Sequence, residues 1–233
     1  MFKMFKPTIQ WILQAVFPFF CIGCEKEGVL LCEPCLKAIP FAKARCPVCR
    51  APSAFGRTCA AHRSSLDGCI AVASYAHPWV RDMIRLWKFE YVREIETVLV
   101  RLLLRHLQDA ALPSVAWSLI PVPLHPKRLN ERGFSQTRVL SDILSEITGD
   151  TVETQLLSHG WRLRRRQADI ASEAKRRTQK LHAYFRVKGD GIPTHVLLVD
   201  DVYTTGATME GAARVLKQAG VKYVWGFVLA RNK

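Results

Sequence analysis

From Cys69 onward the chain alternates between two patterns of apolar and polar positions. Short apolar runs rich in β-branched residues predict strands, and apolar residues that recur every three or four positions predict helices. The predicted strands cover residues 68–75, 117–122, 152–156, 184–187, 195–199 and 223–229. The predicted helices cover residues 79–87, 95–107, 137–147 and 209–218. This alternation favours an α/β domain with a mostly parallel sheet.

The first twenty residues are more apolar and carry a helical pattern of their own. One face of this predicted amphipathic helix (residues 1–20) holds Ile9, Ile12, Leu13, Val16 and Phe17. Pro7 and two glutamines interrupt the segment, it has no small-residue cleavage site, and it is too short to span a membrane, so we do not interpret it as a signal peptide or a transmembrane helix. We expect it to pack on the body of the protein. The weaker alternative is peripheral membrane contact through Trp11, Phe17, Phe19 and Phe20.

Seven of the eight cysteines lie near the amino terminus, in Cys-x2-Cys pairs and one Cys-x2-His pair. Each pair points two ligands at one metal ion, and two pairs complete a tetrahedron. The simplest grouping places Cys21, Cys24, Cys32 and Cys35 around one zinc ion and Cys46, Cys49, Cys59 and His62 around a second. A cross-braced grouping fits the same spacing, whereas a disulfide-rich module would need an oxidising compartment. We expect a zinc-binding module over residues 21–65, with one or two structural zinc ions, before an α/β domain over residues 66–233.

The chain is strongly basic, with 34 Lys and Arg against 20 Asp and Glu and a net charge of +14. Such a balance favours polyanions, namely nucleic acid, phosphorylated substrates or an anionic membrane face. Much of the excess lies in residues 162–188, where Trp161 precedes a cluster of arginines. The cluster is typical of a groove that tracks phosphates beside a stacking ring, and equally of a basic loop that closes over an active site. The nucleic-acid candidates are Arg162, Arg164, Arg165, Arg166 and Arg177.

The most informative motif follows the strand predicted at residues 195–199. Asp200 and Asp201 come where this strand is predicted to end, which is where open α/β sheets bind ligands. Small and hydroxyl residues at 204–208 then lead into a helix, whose start offers N–H donors and a positive dipole end to an anion. Ionised carboxylates accept hydrogen bonds from a diol. A phosphate site beside a diol site describes a sugar phosphate, most simply a 5-phosphoribosyl group; the alternative is an ordinary turn with two solvated aspartates.

A second chemical segment follows the strand predicted at residues 117–122. Prolines stiffen the exit of the strand, and Lys127, Arg128 and Arg132 supply cations. Arginine binds phosphate through two parallel hydrogen bonds and lysine acts as a point charge, so the segment could clamp a pyrophosphate. A solvated basic loop explains the same residues equally well.

The sequence around 195–208 resembles the site of the phosphoribosyltransferase superfamily, and nearly the whole chain resembles the ComF family of competence-associated proteins, which includes the ComFC and GntX-like types. Four features carry the resemblance, in order: the paired cysteine knuckles, Val-Pro-Leu with Arg-Gly-Phe-Ser-Gln, the segment from Gln167 through Arg177 to Tyr184-Phe185, and Asp-Asp with Thr-Thr-Gly-Ala-Thr. The resemblance implies an N-terminal zinc finger and a type I phosphoribosyltransferase-like α/β domain, in which a parallel sheet is flanked by helices. It also implies that phosphoribosyl pyrophosphate (PRPP) binds with Mg²⁺.

The resemblance also implies roles for individual residues. Asp200 and Asp201, the catalytic candidates, would hold the ribose hydroxyls, residues 204–208 the 5-phosphate, and residues 125–132 the pyrophosphate. The implied PRPP-binding set is Asp200, Asp201, Val202, Tyr203, Thr204, Thr205, Gly206, Ala207, Thr208, Lys127, Arg128 and Arg132. The acceptor of the phosphoribosyl group is not identified, so enzymatic activity stays open. The alternative is a non-catalytic PRPP sensor that binds single-stranded DNA.

The cellular context that the resemblance implies is natural transformation. The protein would handle incoming single-stranded DNA in the cytoplasm, at the inner face of the membrane, with a DNA-uptake helicase or recombination proteins as partners. Three positions depart from the family pattern. Ser135 and Lys180 stand where Asn is usual, and His62 replaces a cysteine, which a zinc site accepts because imidazole is an equivalent ligand.

Overall fold

The computed structural model describes residues 19–89, 94–109, 115–160, 185–189 and 191–232. The helices are α1 (Glu33–Ala38), α2 (Pro78–Phe89), α3 (Glu94–Asp109), α4 (Pro126–Arg132), α5 (Gln136–Thr148) and α6 (Ala207–Gln218). The strands are β1 (Gly68–Ser74), β2 (Ser118–Pro121), β3 (Thr151–Val152), β4 (Leu157–His159), β5 (Phe185–Val187), β6 (His195–Tyr203) and β7 (Tyr223–Arg231). A 3₁₀ turn covers Ala54–Gly56.

The main sheet has five strands in the order β1-β7-β6-β2-β3, and its neighbouring strands pair in parallel. The α/β architecture predicted from the sequence is therefore confirmed. Strand β6 begins as a continuous apolar run because both of its faces are covered, as is usual for a strand in the middle of a parallel sheet.

Helices cover the two faces of the sheet and enclose two cores. On one face, Leu197 and Val199 of β6 belong to a core that includes residues of α2, α3 and α5. On the other face, Val196 and Leu198 belong to a core that includes residues of α6. Successive residues of a strand point to opposite faces, so each core receives every second residue from Val196 to Val199.

Two strand boundaries differ from the prediction by more than two residues. Strand β6 does not end at Val199 but continues to Tyr203, because β7 pairs with it as far as the Tyr203–Arg231 partners. The strand predicted at residues 152–156 is also wrong in extent. Strand β3 ends at Val152, and a separate strand, β4, begins at Leu157 and pairs antiparallel with β5.

The first cysteine segment packs directly on the α/β body. Cys21, Leu31 and Leu36 lie in the same core as Trp87 of α2 and Leu99 of α3. Arg105 of α3 strengthens this contact, because its Nη1 donates to the carbonyl oxygens of Leu36 at 2.8 Å and of Ile39 at 2.9 Å. These carbonyls belong to the last turn of α1 and its cap, where the Leu36 carbonyl also accepts from the Ile39 N–H at 3.2 Å.

Two predicted features lie outside the described residues. They are most of the amphipathic N-terminal segment (residues 1–18) and the arginine cluster within residues 161–184. Of the aromatic residues proposed for membrane contact, Phe20 is exposed, whereas Phe19 packs against the core. In the part of the chain that the structure describes, no helix has the length and apolar character needed to cross a membrane.

Candidate functional site

The strand order places a crevice at the carboxyl ends of β2 and β6. Strand β2 leads through α5 to β3 on one side of this pair, and β6 leads through α6 to β7 on the other side. Neighbouring strands whose connections diverge in this way mark the switch point where open parallel sheets bind ligands. The Val122 N–H donates to the Val199 carbonyl at 2.9 Å. Beyond this bond β6 continues alongside β7 alone, so its last residues line one wall of the crevice.

Asp200 and Asp201 lie inside strand β6, in different surroundings. Asp201 is buried and forms an ion pair with Lys88 of α2, with 2.6 Å between Oδ2 and Nζ. Since neighbouring strand residues point to opposite faces, Asp200 leaves the strand on the other side. The backbone N–H of Asp201 donates to Oδ1 of Asp200 at 2.8 Å, which holds the first carboxylate in place.

The surroundings of Asp200 favour its protonated form. Burial raises the pKa of this carboxyl most, and the negative charge of Asp201 raises it further. The backbone hydrogen bond from Asp201 and the charges of Lys88 and Arg128 oppose the rise, and the resulting pKa is about 7. Asp200 can therefore gain or lose its proton near neutral pH, which is typical of groups at functional sites.

Lys88 is a site residue that sequence analysis missed. Its position follows the helix predicted at residues 79–87, and α2 extends through it to Phe89. The amphipathic pattern of α2 indicates which face packs on the sheet. It does not indicate that the end of the helix lies over Asp201, because that depends on the order of the strands.

The loop between β6 and α6 has the shape predicted for an anion site. Gly206 precedes α6 with φ of +78°, and a Cβ at this residue would lie 2.0 Å from Oη of Tyr203. Only glycine fits this bend, because both the conformation and the space exclude a side chain. Gly206 provides no side-chain cap for the helix. The Ala207 N–H donates to Oγ1 of Thr205 at 3.4 Å, and the next N–H groups of the first turn stay available to an anion. The threonines around this loop are exposed: Thr204, Thr205 and Thr208.

Two further residues predicted to bind PRPP from this segment, Val202 and Tyr203, have side chains that point elsewhere. Val202 packs against the core beside α2 and α3. Tyr203 is buried, and its hydroxyl donates to the backbone carbonyl of Pro47 at 3.2 Å. Any contact of these two residues with a ligand would therefore come from their backbone.

The segment predicted as a second chemical loop contains a short helix, α4 (Pro126–Arg132), which corrects the prediction. The sequence did carry its start and stop signals. Proline occupies the first turn, the His125 side chain accepts from the Lys127 N–H at 3.1 Å, and Gly133 ends the helix in the left-handed conformation. Proline inside the start and glycine just past the end are the expected residues at these positions.

The three predicted cations of this segment are placed differently. The positive charge of Arg128 acts on Asp200 and opposes the rise in the pKa of this carboxyl. Lys127 is exposed and lies 3.8 Å from Glu131 on the same helix. Arg132 donates to Oε1 of Gln136 at 3.0 Å and lies over the ring of Phe89 at 5.4 Å. Of the three, Arg128 is the cation whose charge acts on Asp200.

Ser135, the departure from the family pattern beside this site, caps a helix. Its Oγ accepts from the Arg138 N–H at 3.3 Å at the start of α5. The hydroxyl of Thr137 donates to the Val122 carbonyl at 2.9 Å, so Ser135 donates its own proton to Thr137 across 2.9 Å. Serine and asparagine are both favoured helix caps, which explains why either residue suits this position.

The eight predicted zinc ligands form two separate groups. In each group the four ligand atoms lie within 4.8 Å of one another, so both groups are geometrically able to bind zinc. The first cysteine group is Cys21, Cys24, Cys32 and Cys35, and the second cysteine–histidine group is Cys46, Cys49, Cys59 and His62. This is the simplest of the predicted groupings, and the cross-braced alternative is wrong.

Each group holds one thiol that ionises easily. Burial alone would raise the pKa of Cys21, but backbone N–H groups from Cys32, Gly23 and Cys24 outweigh it and lower the pKa to about 6. The pKa of Cys46 is also lowered to about 6, by N–H groups that include that of Cys59. Thiolates are the form of cysteine that binds a metal. The backbone N–H groups therefore favour the metal-binding form of one cysteine in each group.

Comparison with known proteins finds similarity to DNA utilization proteins and to competence proteins. No protein-family model matches it. The chain is 28% identical over 230 residues to the DNA utilization protein YhgH of Salmonella typhimurium, covering 92% of this chain and 98% of that protein. It is 29% identical to competence protein F of Haemophilus influenzae, covering 90% of each chain. It is 32% identical over 118 residues to the competence protein ComFC of Streptococcus pneumoniae, covering 49% of this chain and 48% of that protein.

Proposed function

We propose that this chain, a member of the ComF family, binds phosphoribosyl pyrophosphate with Mg²⁺ in the crevice between β2 and β6. We also propose that it acts in DNA utilization during natural transformation. The observation that carries the proposal is the juxtaposition at the end of β6. A carboxylate with a raised pKa, a second carboxylate and a glycine-bent loop at a helix start follow one another along a single strand and its exit.

Each part of the ligand matches one part of the crevice. The ribose hydroxyls can donate to Asp200 and Asp201, and the 5-phosphate can accept from the N–H groups and hydroxyls of residues 204–208. The pyrophosphate would lie toward α4, where Arg128 already acts on Asp200. Mg²⁺ suits this set, since it prefers one or two carboxylates together with phosphate oxygens, and it would neutralise charge on the pyrophosphate.

The reaction class that fits this site is transfer of the phosphoribosyl group. The bond between ribose C1 and the pyrophosphate oxygen would break, and C1 would form a bond to a nucleophilic atom of an acceptor, which gives up its proton. Asp200 and Asp201 would orient the ribose, and Arg128 would favour departure of the negatively charged pyrophosphate. The site identifies no acceptor.

We further propose one structural zinc ion in each of the two metal-binding groups. Both offer four protein ligands of the type and number that closed zinc sites use. This module, over residues 21–65, would support the phosphoribosyltransferase-like domain over residues 66–233. We propose a cytoplasmic location, at the inner face of the membrane, with DNA-uptake helicase or recombination proteins as partners.

Calorimetric titration of the zinc-loaded protein with PRPP and Mg²⁺ tests the binding proposal. We expect saturable binding to the wild type and at least about a hundredfold weaker binding to the Asp200→Asn/Asp201→Asn variant, since several charge-assisted hydrogen bonds are lost. Asp142→Asn, on the exposed face of α5, is the matched control and should bind like the wild type. A folded wild type that does not bind PRPP would contradict the proposal.

A second candidate function is a non-catalytic PRPP sensor that binds single-stranded DNA, which the net charge of +14 favours. Its nucleic-acid candidates are the arginines at 162–166 and Arg177. Arg164→Ala/Arg165→Ala/Arg166→Ala should weaken DNA binding and flatten its dependence on salt, with unchanged affinity for PRPP. Unaltered DNA binding by this variant, measured by fluorescence anisotropy at several salt concentrations, would remove these arginines from the interface.

A further inference from the structure

Tyr203, the last residue of β6, connects the phosphate-binding loop (residues 204–206) to the second cysteine–histidine group. Its buried hydroxyl donates to the carbonyl oxygen of Pro47 at 3.2 Å. Pro47 lies between Cys46 and Cys49, so the bond reaches the turn that aims two ligands of that group. The same hydroxyl fills the space into which a Cβ at Gly206 would project, at 2.0 Å. Tyr203 therefore contacts the bend of the loop and the metal knuckle at once.

A second connection starts from Glu210, in the first turn of α6. Its carboxylate accepts from Oγ of Ser64 at 2.7 Å and from the Ser65 N–H at 2.9 Å. These serines follow the ligand His62 closely in the chain. The start of the helix that would bind the phosphate is thus tied to the segment that leaves the metal group.

A third connection is made by Arg231, which packs on the ring of Tyr203. The guanidinium of Arg231 lies 4.7 Å from the centre of the Tyr203 ring, and its Nη1 donates to the carbonyl of Arg45 at 3.1 Å. Arg45 directly precedes the ligand Cys46. The contacts described here that lead from the first cysteine group run elsewhere, to α2 and α3.

We propose that the second cysteine–histidine group positions the phosphate-binding loop through Tyr203, so that metal at this group and a sugar-phosphate ligand at the loop bind cooperatively. Tyr203 is then a positioning residue, which acts on the ligand through Gly206 and on the metal through Pro47. The identity of the ligand rests on the proposed function, whereas the mechanical link does not. Coupling between two binding sites is reciprocal, so the ligand must retain the metal as strongly as the metal favours the ligand.

Hydrogen exchange without any ligand tests the link first. We expect Tyr203→Phe, in the zinc-loaded protein, to accelerate amide exchange in peptides that cover residues 45–50 and 203–210 and to leave α3 unchanged. The matched control is Tyr223→Phe, an exposed tyrosine stacked on His195 at the opposite end of the sheet, which should change neither peptide. Identical exchange in the two variants would overturn the link.

Zinc affinity, measured by equilibrium competition with a chromogenic chelator, tests the reciprocity. In the wild type, PRPP with Mg²⁺ should tighten the binding of one of the two zinc ions by about fivefold or more, and this gain should disappear in Tyr203→Phe. A variant that was only less stable would still gain zinc affinity from the ligand. Calorimetric binding of PRPP to the wild type without any change of zinc affinity would overturn the cooperativity.

The two arms separate this proposal from the proposed function. If the wild type does not bind PRPP, the proposed function fails and hydrogen exchange alone decides whether the link exists. If Tyr203→Phe does not fold, Glu210→Ala tests the same link at the second connection. The control is Glu146→Ala, at an exposed position of α5. Faster exchange at residues 62–66 and 203–210 in Glu210→Ala alone supports the link, and equal exchange in both variants overturns it.

Discussion

At the scale of single residues, the site is organised by where charge is buried. Asp201 is buried and paired with Lys88, whereas Asp200 is half-buried beside a like charge and has a pKa of about 7. The two neighbouring aspartates therefore differ: Asp201 has a cationic partner within the fold, and Asp200 is the group whose charge changes near neutral pH.

The raised pKa of Asp200 predicts how stability depends on pH. Between the pKa of the unfolded chain, 3.8, and that of the folded protein, about 7, the folded state holds a proton that the unfolded state has lost. Stability therefore falls as pH rises through this window. The side chain of Asp200→Asn does not titrate, so the variant does not lose stability in this way. Its free energy of unfolding relative to the wild type should therefore increase from pH 4.5 to pH 7.5. Urea unfolding at these two pH values checks this; a constant difference would contradict it.

The ion pair between Lys88 and Asp201 predicts strong coupling. Lys88→Met leaves a buried carboxylate without its partner and should lower the free energy of unfolding by about 3 kcal/mol. Adding Asp201→Asn should recover much of the loss, because the uncompensated charge is removed. A double-mutant cycle in urea measures the pair. Additive effects of the two substitutions would show that the pair does not stabilise the fold.

At the scale of elements, the crevice depends on how two helices begin. Helix α6 begins at a bent glycine that leaves its N–H groups to a ligand, whereas α5 begins at Ser135, whose side chain accepts from the helix itself. The first arrangement suits binding and the second suits stability. Both helix starts follow the carboxyl ends of neighbouring strands, so the sheet determines the distance between them.

Substitution of Ser135 separates its capping role from its hydroxyl bond to Thr137. Ser135→Ala should lower the free energy of unfolding by about 1 kcal/mol, while Ser135→Asn, which keeps a favoured cap, should stay within a few tenths of the wild type. Chemical denaturation of the three proteins provides the comparison. If Asn were as destabilising as Ala, the hydroxyl bonds to Thr137 rather than the cap would explain the serine.

Elements with local signals were predictable from the sequence. The start of β6 follows from its apolar run and the cysteine pairs from their spacing, and even α4 carried signals at Pro126 and Gly133. The end of β6 was not predictable, because polar Asp200 and its successors remain in the strand only through pairing with β7. Lys88 and the bond from Tyr203 to Pro47 depend on contacts between distant segments, which no local pattern records.

At the scale of the whole molecule, the two groups that are able to bind zinc contact different parts of the fold. The first cysteine group shares a core with α2 and α3. The second lies against the end of β6 and the start of α6, through Tyr203 and Glu210. One group is therefore built into the body of the protein and the other into the wall of the crevice.

This division predicts unequal effects of losing each metal. Cys24 and Cys49 are both exposed ligands, one from each group. Cys24→Ser should lower the melting temperature by about 10 °C or more, because a structural zinc ion contributes to folding and this group is continuous with the core. Cys49→Ser should cost less stability but weaken PRPP binding. Calorimetric melting with metal analysis checks both variants; equal melting temperatures would contradict the division.

The most direct test of the account is a crystal structure of the zinc-loaded protein with PRPP and Mn²⁺, whose anomalous signal locates the divalent ion. We expect ribose hydroxyls within hydrogen-bonding distance of Asp200 and Asp201, with the 5-phosphate on the N–H groups that follow Thr204. PRPP bound outside the crevice between β2 and β6, or an open crevice that stays empty at saturating ligand, would contradict it.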